Sequence, residues 1–429
     1  MPRRVAVLVV LLIGAVGLTA CSGDEAGAPT LVWYTNPDNG GQATLAEECT
    51  ESADGAYRIE TQTLPTEADA QREQLVRRLA AGDSSVDLMS LDPPFVAEFA
   101  NAGYLLPITD EADVETLTEG VLDAPLETAF WDDELVATPF WANTQLLWYR
   151  QSVADEAGVD PTAEGFTWDD MIDAAEATST RIGVQSRRYE GYMVWINALV
   201  SSAGGTIVEN ADDGADATPS MASPAGDRAA DVVDRLANSS AAAADITTAG
   251  EEEARSLFQS DAGGFMVNWP YVYAAAKGEV DSGALSADVL DDVAWARYPR
   301  TDPERPSAPP LGGINLAIGN FTQHPEAATD AVKCITTVEN NVQYMVEAGN
   351  PAARGAAYDD PAVREAFPMA DLIRESIDEA APRPITPYYG DVSTSVQRTW
   401  HPARSVRAPE TPEETDQYMG EVLSGDRLL

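Results

Sequence analysis

The stretch TLVWYTNPDNGGQATLAEECTESADGAYRIETQTLPTEADAQREQLVRRLAAGDSSVDLMSLDPPFVAEFANAGY, residues 30–104, decides the fold. Leu31-Val32-Trp33-Tyr34 is a short apolar run ended by the turn formers Asn36-Pro37-Asp38-Asn39-Gly40-Gly41, and residues 43–49 then have helical composition. Residues 57–60 read as a second strand. Residues 69–81 follow as an amphipathic helix with Leu75, Val76 and Leu79 on one face, stopped by Gly82. Residues 86–89 are a third strand, whose end carries Ser90-Leu91-Asp92 ahead of Pro93-Pro94 and a helix over 95–102, stopped by Gly103. Strands alternating with helices in this way call for a parallel sheet covered by helices.

Beyond Pro139 the same grammar restarts. Residues 144–149 are strand-like, Thr167-Trp168-Asp169-Asp170 caps a helix running to 177, and 181–185 is another strand. Residues 191–202 are apolar enough for a buried helix, ended by Gly204-Gly205 before a strand at 206–208. After a polar loop at 210–224, Ala229, Val232, Val233 and Leu236 mark a helix, 251–258 another, and 264–267 the next strand. Extended runs at 293–297 and 313–318 precede a helix over 325–338, and the C-terminal third is mostly helical and punctuated by proline. Trp33, Trp148, Trp168 and Trp195 are expected in the core. Two sheets, with crossings near 138–141 and 293–297, imply an α/β chain of two lobes that share segments. The expected division is 30–140 with 298–338 for one lobe and 141–297 with 339–429 for the other. The cleft between them is the expected site, because ligands of such sheets bind beyond strand ends and between domains.

Upstream, Arg3-Arg4, the apolar run 5–16 and Leu18-Thr19-Ala20-Cys21 read as a secretion signal over 1–20 ending in a lipobox, the apolar run being too short to span a bilayer. Cys21 becomes the lipidated N-terminus, and 21–29 is a small-residue linker. This places the protein on the outer face of the cell membrane. Cys49 and Cys334 are then an even pair in an oxidising compartment, and a disulfide between them is expected. In the chain-entropy model, closing so long a loop stabilises by up to ~5 kcal/mol.

The formal net charge is −45, with Lys277 and Lys333 the only lysines. Such a field repels nucleic-acid phosphates and anionic membrane faces, which excludes both as partners. There is no EF-hand loop, H-E-x-x-H, C-x-x-C, G-x-S-x-G or Walker motif, so the residues point to no metal and no cofactor. Paired carboxylates leave no local motif, which keeps a secreted glycosidase as an alternative, and a cell-wall scaffold is a third class. What stands out is aromatic residues beside amides and acids: Phe140-Trp141-Ala142-Asn143, Tyr189-Glu190-Gly191-Tyr192 and Asn268-Trp269-Pro270-Tyr271. A sugar presents hydroxyl edges for amides, carboxylates or arginine and an apolar face for a flat ring.

Leu64-Pro65, the helix over 71–82, residues 86–92 and Ala97-Glu98-Phe99 through Gly103-Tyr104 resemble the first lobe of the family 1 extracellular solute-binding proteins. Residues 143–150 (NTQLLWYR), Asn268-Trp269-Pro270, Gly312-Gly313-Ile314-Asn315-Leu316-Ala317 and Arg383-Pro384-Ile385-Thr386-Pro387 are similar to actinobacterial trehalose-binding lipoproteins within it. The resemblance implies a two-lobed periplasmic-binding-protein-like fold of type II, with a hinge and an inter-lobe cleft. It implies a non-enzymatic, monomeric receptor that closes on an α-linked disaccharide, trehalose first and maltose or sucrose as alternatives, and hands it to an ABC permease. Asp92 and Asn143 are then expected to bond sugar hydroxyls, Trp269 to stack on a sugar face, Gly312-Gly313 to let the backbone approach, and Arg383 to clamp hydroxyls from the other lobe. Trp141, Glu190, Tyr192, Asn39 and Gln42 complete the expected ligand contacts. Phe140-Trp141 stands where the trehalose branch carries smaller polar residues.

Overall fold

The computed structural model describes residues 27–429. The signal segment, Cys21 and most of the linker lie outside the described residues. Strand Thr30–Thr35 pairs in parallel with Arg58–Thr63 on one side and with Leu88–Leu91 on the other. The sheet continues antiparallel through Leu311–Ile318 to Thr138–Thr144, so its order is 58–63, 30–35, 88–91, 311–318, 138–144. The strand–helix alternation of residues 30–104 thus builds the parallel half, and two strands from far along the chain complete it.

The second sheet departs from expectation. Its order is Val293–Ala296, Leu146–Arg150, Gly263–Asn268, Arg181–Gly183, and only the last pair runs parallel. Gln145 alone separates strand Thr138–Thr144 of the first sheet from Leu146–Arg150 of the second, and both neighbours of Leu146–Arg150 run against it. The strand expected near 206–208 is a two-residue strand, Val208–Glu209, paired with Thr218–Pro219 outside both main sheets.

Helices cover both sheets for reasons visible residue by residue. Helix Trp168–Ala177 starts at a capping box: Asp170 N–H donates to Thr167 Oγ1 at 3.1 Å while Thr167 N–H donates to Asp170 Oδ2 at 3.0 Å. Helix Glu190–Ser202 is apolar on nearly every face and accordingly buried along almost its whole length. Trp33, Trp148, Trp168 and Trp195 are all fully buried.

The lobes divide elsewhere than the sequence suggests. Strand Thr138–Thr144 stays in the first sheet to its end. The segment after 338 first packs there too: helix Val338–Ala348 lies on helix Gly41–Ser52, and helix Ala370–Asp378 lies on strand Thr138–Thr144. Only after residues 380–388 does the chain return to the second lobe, where Tyr389–Trp400 packs on Glu190–Ser202 and Glu410–Leu423 on Pro224–Asn238. The correction to 339–429 follows from helix Val338–Ala348 carrying Tyr344 into the core around Trp33 and Phe140. Three segments therefore join the lobes: Gln145, the stretch between Ala296 and Leu311, and 380–388. Across the junction the Phe95 and Tyr389 rings meet edge to face, 5.4 Å between centroids. Cys49 and Cys334 are bonded, linking two helices of the first lobe. No helix among the described residues is long and apolar enough to cross a membrane.

Candidate binding cleft

Between the two sheets lies a cavity of about 640 Å³. Its first-lobe wall comes from the antiparallel pair 138–144 and 311–318, where Gly312 stands opposite Asn143 and Ile314 opposite Trp141. Gly313 has φ +124°, and a Cβ there would fall 2.4 Å from the Trp141 carbonyl oxygen, so only glycine fits this register. A Cβ on Gly312 would fall 2.9 Å from the six-membered ring of Trp269. The missing side chain is what lets Trp269, from the other lobe, close over this wall. Asn143 Oδ1 accepts the Thr144 N–H at 3.0 Å, which turns its amide NH2 into the group left to donate.

Trp269 follows strand Gly263–Asn268 and is held by the residue before it. Asn268 Oδ1 accepts the Trp269 N–H at 2.9 Å, Asn268 Nδ2 donates to the Glu251 carbonyl at 3.0 Å, and Trp148 Nε1 donates to the Asn268 carbonyl at 2.9 Å. One buried amide thus fixes both the aromatic ring and the start of helix Glu251–Gln259.

The floor is ionic. Asp92, just beyond strand Leu88–Leu91, receives both terminal nitrogens of Arg383, one of them at 3.1 Å from Oδ2. Arg383 Nη1 also donates to Glu190 Oε1 at 2.6 Å, and Glu190 accepts from Tyr389 Oη and, at 2.6 Å, from Ser393 Oγ. The side chains of Arg383 and Glu190 are 3% and 8% exposed, so this junction of first lobe, second lobe and connecting segment is nearly dry. Burial raises the Glu190 carboxyl to about 7 against the opposing pull of Arg383. Burial would lower the Arg383 guanidinium, but Asp92 and its other neighbours hold it well above its ordinary range.

Toward the rim, Glu67 of the first lobe pairs with Arg187 of the second at 3.1 Å, and Arg187 lies 4.4 Å over the Tyr189 ring.

Of the residues expected in the site, Asp92, Trp141, Asn143, Glu190, Trp269, Gly312, Gly313 and Arg383 line this one cavity. Three do not. Asn39 is exposed on the loop outside the lining. Gln42 is buried beneath that loop, donating to the Asn36 carbonyl at 2.8 Å and accepting from Ser90 Oγ at 3.3 Å, so it supports a lining residue without being one. Tyr192 is fully buried and donates to the Trp400 carbonyl at 2.8 Å. Tyr189 and Glu251 also line the cavity; Tyr189 stands in a motif the sequence singles out, from which Tyr192 was expected instead, and Glu251 was not expected. The signal was the helix boundary: Tyr189 precedes the first helical residue in extended conformation, whereas Tyr192 lies inside the first turn and turns to the core.

A family model described as bacterial extracellular solute-binding protein matches residues 51–342. A probable ABC transporter-binding protein of Deinococcus radiodurans is 26% identical over 362 residues, covering 79% of this chain and 80% of the relative. Among solved structures, maltose-bound MalE3 of T. maritima matches with a TM-score of 0.79 at 25% identity, over 93% of this chain and 100% of that one. The GacH receptor of Streptomyces glaucescens, solved unliganded and with acarbose, matches with a TM-score of 0.75 at 20% identity over 94% and 100% of the two chains, and shares the fold.

Proposed function

The chain belongs to the bacterial extracellular solute-binding proteins, and from that premise we propose that it is the sugar-binding lipoprotein of an ABC importer, taking an α-linked disaccharide with trehalose first. The relatives are binding proteins and not enzymes, so the glycosidase alternative falls away. The observation that carries the sugar reading is the inter-lobe cavity of about 640 Å³ with Trp269 on one side and the Asn143 amide beside the Gly312-Gly313 backbone on the other. Its volume is in the range of small-molecule sites. An indole face suits the C–H face of a pyranose, and an amide suits its hydroxyls. Maltose bound by MalE3 supports an α-glucoside, and maltose or sucrose is the nearest alternative to trehalose.

Binding selects the closed arrangement, because a ligand that touches both lobes at once favours the state in which both are in reach. Micromolar affinity needs only about 8 kcal/mol, within what a stacked ring and several hydrogen bonds supply. Cys21, lipidated after removal of 1–20, would tether the receptor beside its permease on a linker of residues 22–29. A thermal-shift screen over trehalose, maltose, sucrose and longer α-glucosides tests this, followed by an assay for released glucose. A saturable shift with one of them and no glucose is the expected result. No shift with any saccharide would sink the sugar reading, and glucose release would restore the enzyme.

A further inference from the structure

Six carboxylates line the cleft, Glu67, Asp92, Glu190, Glu251, Glu252 and Glu253, against two guanidiniums, Arg187 and Arg383. Five of the six already have a partner. Asp92 and Glu190 share Arg383, and Glu67 has Arg187. Glu252 pairs with Arg255 at 2.7 Å and accepts from Tyr271 Oη at 2.5 Å, while Glu253 accepts the Gly250 N–H at 2.9 Å. Among the described residues, Glu251 is the lining carboxylate that forms no salt bridge; the Tyr189 hydroxyl and its own backbone N–H stand against it, and Arg187 acts on it only at longer range.

Its position is not casual. Asn268 fixes the Glu251 main chain with one end of its amide and the Trp269 main chain with the other, so the carboxylate and the ring are presented to the cavity as a unit. The Tyr189 phenol stands beside it. Burial, with the neighbouring Glu251 carboxylate, pushes that phenol well above its ordinary range, and burial likewise raises Glu251. A largely desolvated carboxylate with no salt-bridge partner gains most from a ligand that brings a cation into hydrogen-bond reach, since a charge-assisted hydrogen bond is roughly twice as strong as a neutral one.

We infer that Tyr189 and Glu251 form a charge-selecting subsite beside Trp269, which favours a saccharide bearing a protonated amine over its neutral parent and rejects one bearing a carboxylate. The cleft as a whole acts in the same direction, because its excess of negative charge attracts cationic ligands and repels anionic ones. This rests on the sugar reading of the cleft and adds to it which sugars are preferred.

Calorimetric titration of the protein at pH 7 with trehalose and maltose, their monoamino positional isomers and their 6-carboxylates tests the inference. At least one amino isomer should bind ~10-fold or more tighter than its parent, and the carboxylates ~10-fold or more weaker, as expected for a gained or frustrated charge-assisted bond. In Glu251→Gln the amino isomer should lose its advantage over the parent. Parents that bind while no amino isomer exceeds them would overturn the inference and leave the sugar reading intact, and this wild-type comparison decides even if the variant does not fold. An amino advantage that survives in Glu251→Gln would also overturn the assignment. Silence from parents and amino isomers alike would instead bring down the sugar reading itself.

Discussion

On the floor of the cleft, Arg383 gives its guanidinium to Asp92 and Glu190, and Glu190 takes further bonds from Tyr389 and Ser393. On the second-lobe wall, the main chains of Trp269 and Glu251 are held from behind by Asn268, and the Glu251 carboxylate has the Tyr189 hydroxyl beside it in place of a salt bridge. Floor and wall line the same cavity, and each presents carboxylates to it. The difference lies in who arrives from elsewhere in the chain. Residue 383, on the last segment to join the lobes, turns two candidate sugar ligands into an ionic strut between them, whereas nothing comparable reaches Glu251. A carboxylate at a strand end is thus a position, and its role is set by its partner.

The largest test of that contrast is Arg383→Ala. It leaves buried Glu190 and part-buried Asp92 without their cation, and loss of one partner from a buried pair costs about 3–5 kcal/mol. A large fall in the urea midpoint at pH 7 is expected; a midpoint within error of wild type would mean the strut is not structural.

The pH profile sharpens the same point. Because folding raises the Glu190 carboxyl from its ordinary 4.5 to about 7, the folded state holds the proton more tightly. The stability this contributes is complete below pH 4.5 and is lost as pH rises through 7. Wild type should therefore lose melting temperature relative to Glu190→Gln across that window and run parallel to it above. A difference that is flat with pH would place the Glu190 carboxyl at its ordinary value.

On the wall, Gly312→Ala puts a methyl 2.9 Å from the Trp269 ring. Overpacking of this kind costs about 1–3 kcal/mol, and it should appear as weaker sugar binding through a displaced ring. Unchanged affinity would show that the ring's seat is not needed. The smallest expected effect belongs to Tyr192→Phe, which removes the bond to the Trp400 carbonyl. It should cost about 1 kcal/mol of stability by thermal melt and nothing in affinity. A change in affinity would return Tyr192 to the site.

How far the sequence carried depends on how local each feature is. The parallel half of the first sheet was legible because glycine, proline and apolar runs punctuate residues 30–104 on the scale of single elements. The antiparallel half was not, since pairing 138–144 with 311–318 is decided by register across more than a hundred and fifty residues of intervening chain. The second sheet was hidden because one residue, Gln145, separates a strand of the first sheet from a strand of the second, so no break in composition marks the passage. In the site, Trp269 was marked by an aromatic ring beside an amide, whereas the Gly312-Gly313 pair was expected only through the family resemblance. Tyr189 was lost to Tyr192 through a shift of less than one helical turn, and Gln42 was misplaced because its hydrogen bonds to Asn36 and Ser90 draw it under the loop that its neighbours leave exposed.

The most direct measurement is a calorimetric titration of trehalose and maltose into wild type and Trp269→Ala under one set of conditions. The Trp269 indole offers the flat apolar face on which the C–H face of a pyranose would be buried. The expected result is micromolar binding of at least one disaccharide by wild type, and a loss of ~10-fold or more in Trp269→Ala with the melting temperature of the free protein nearly unchanged. Equal affinity in the two proteins would contradict the placement of the sugar in this cleft.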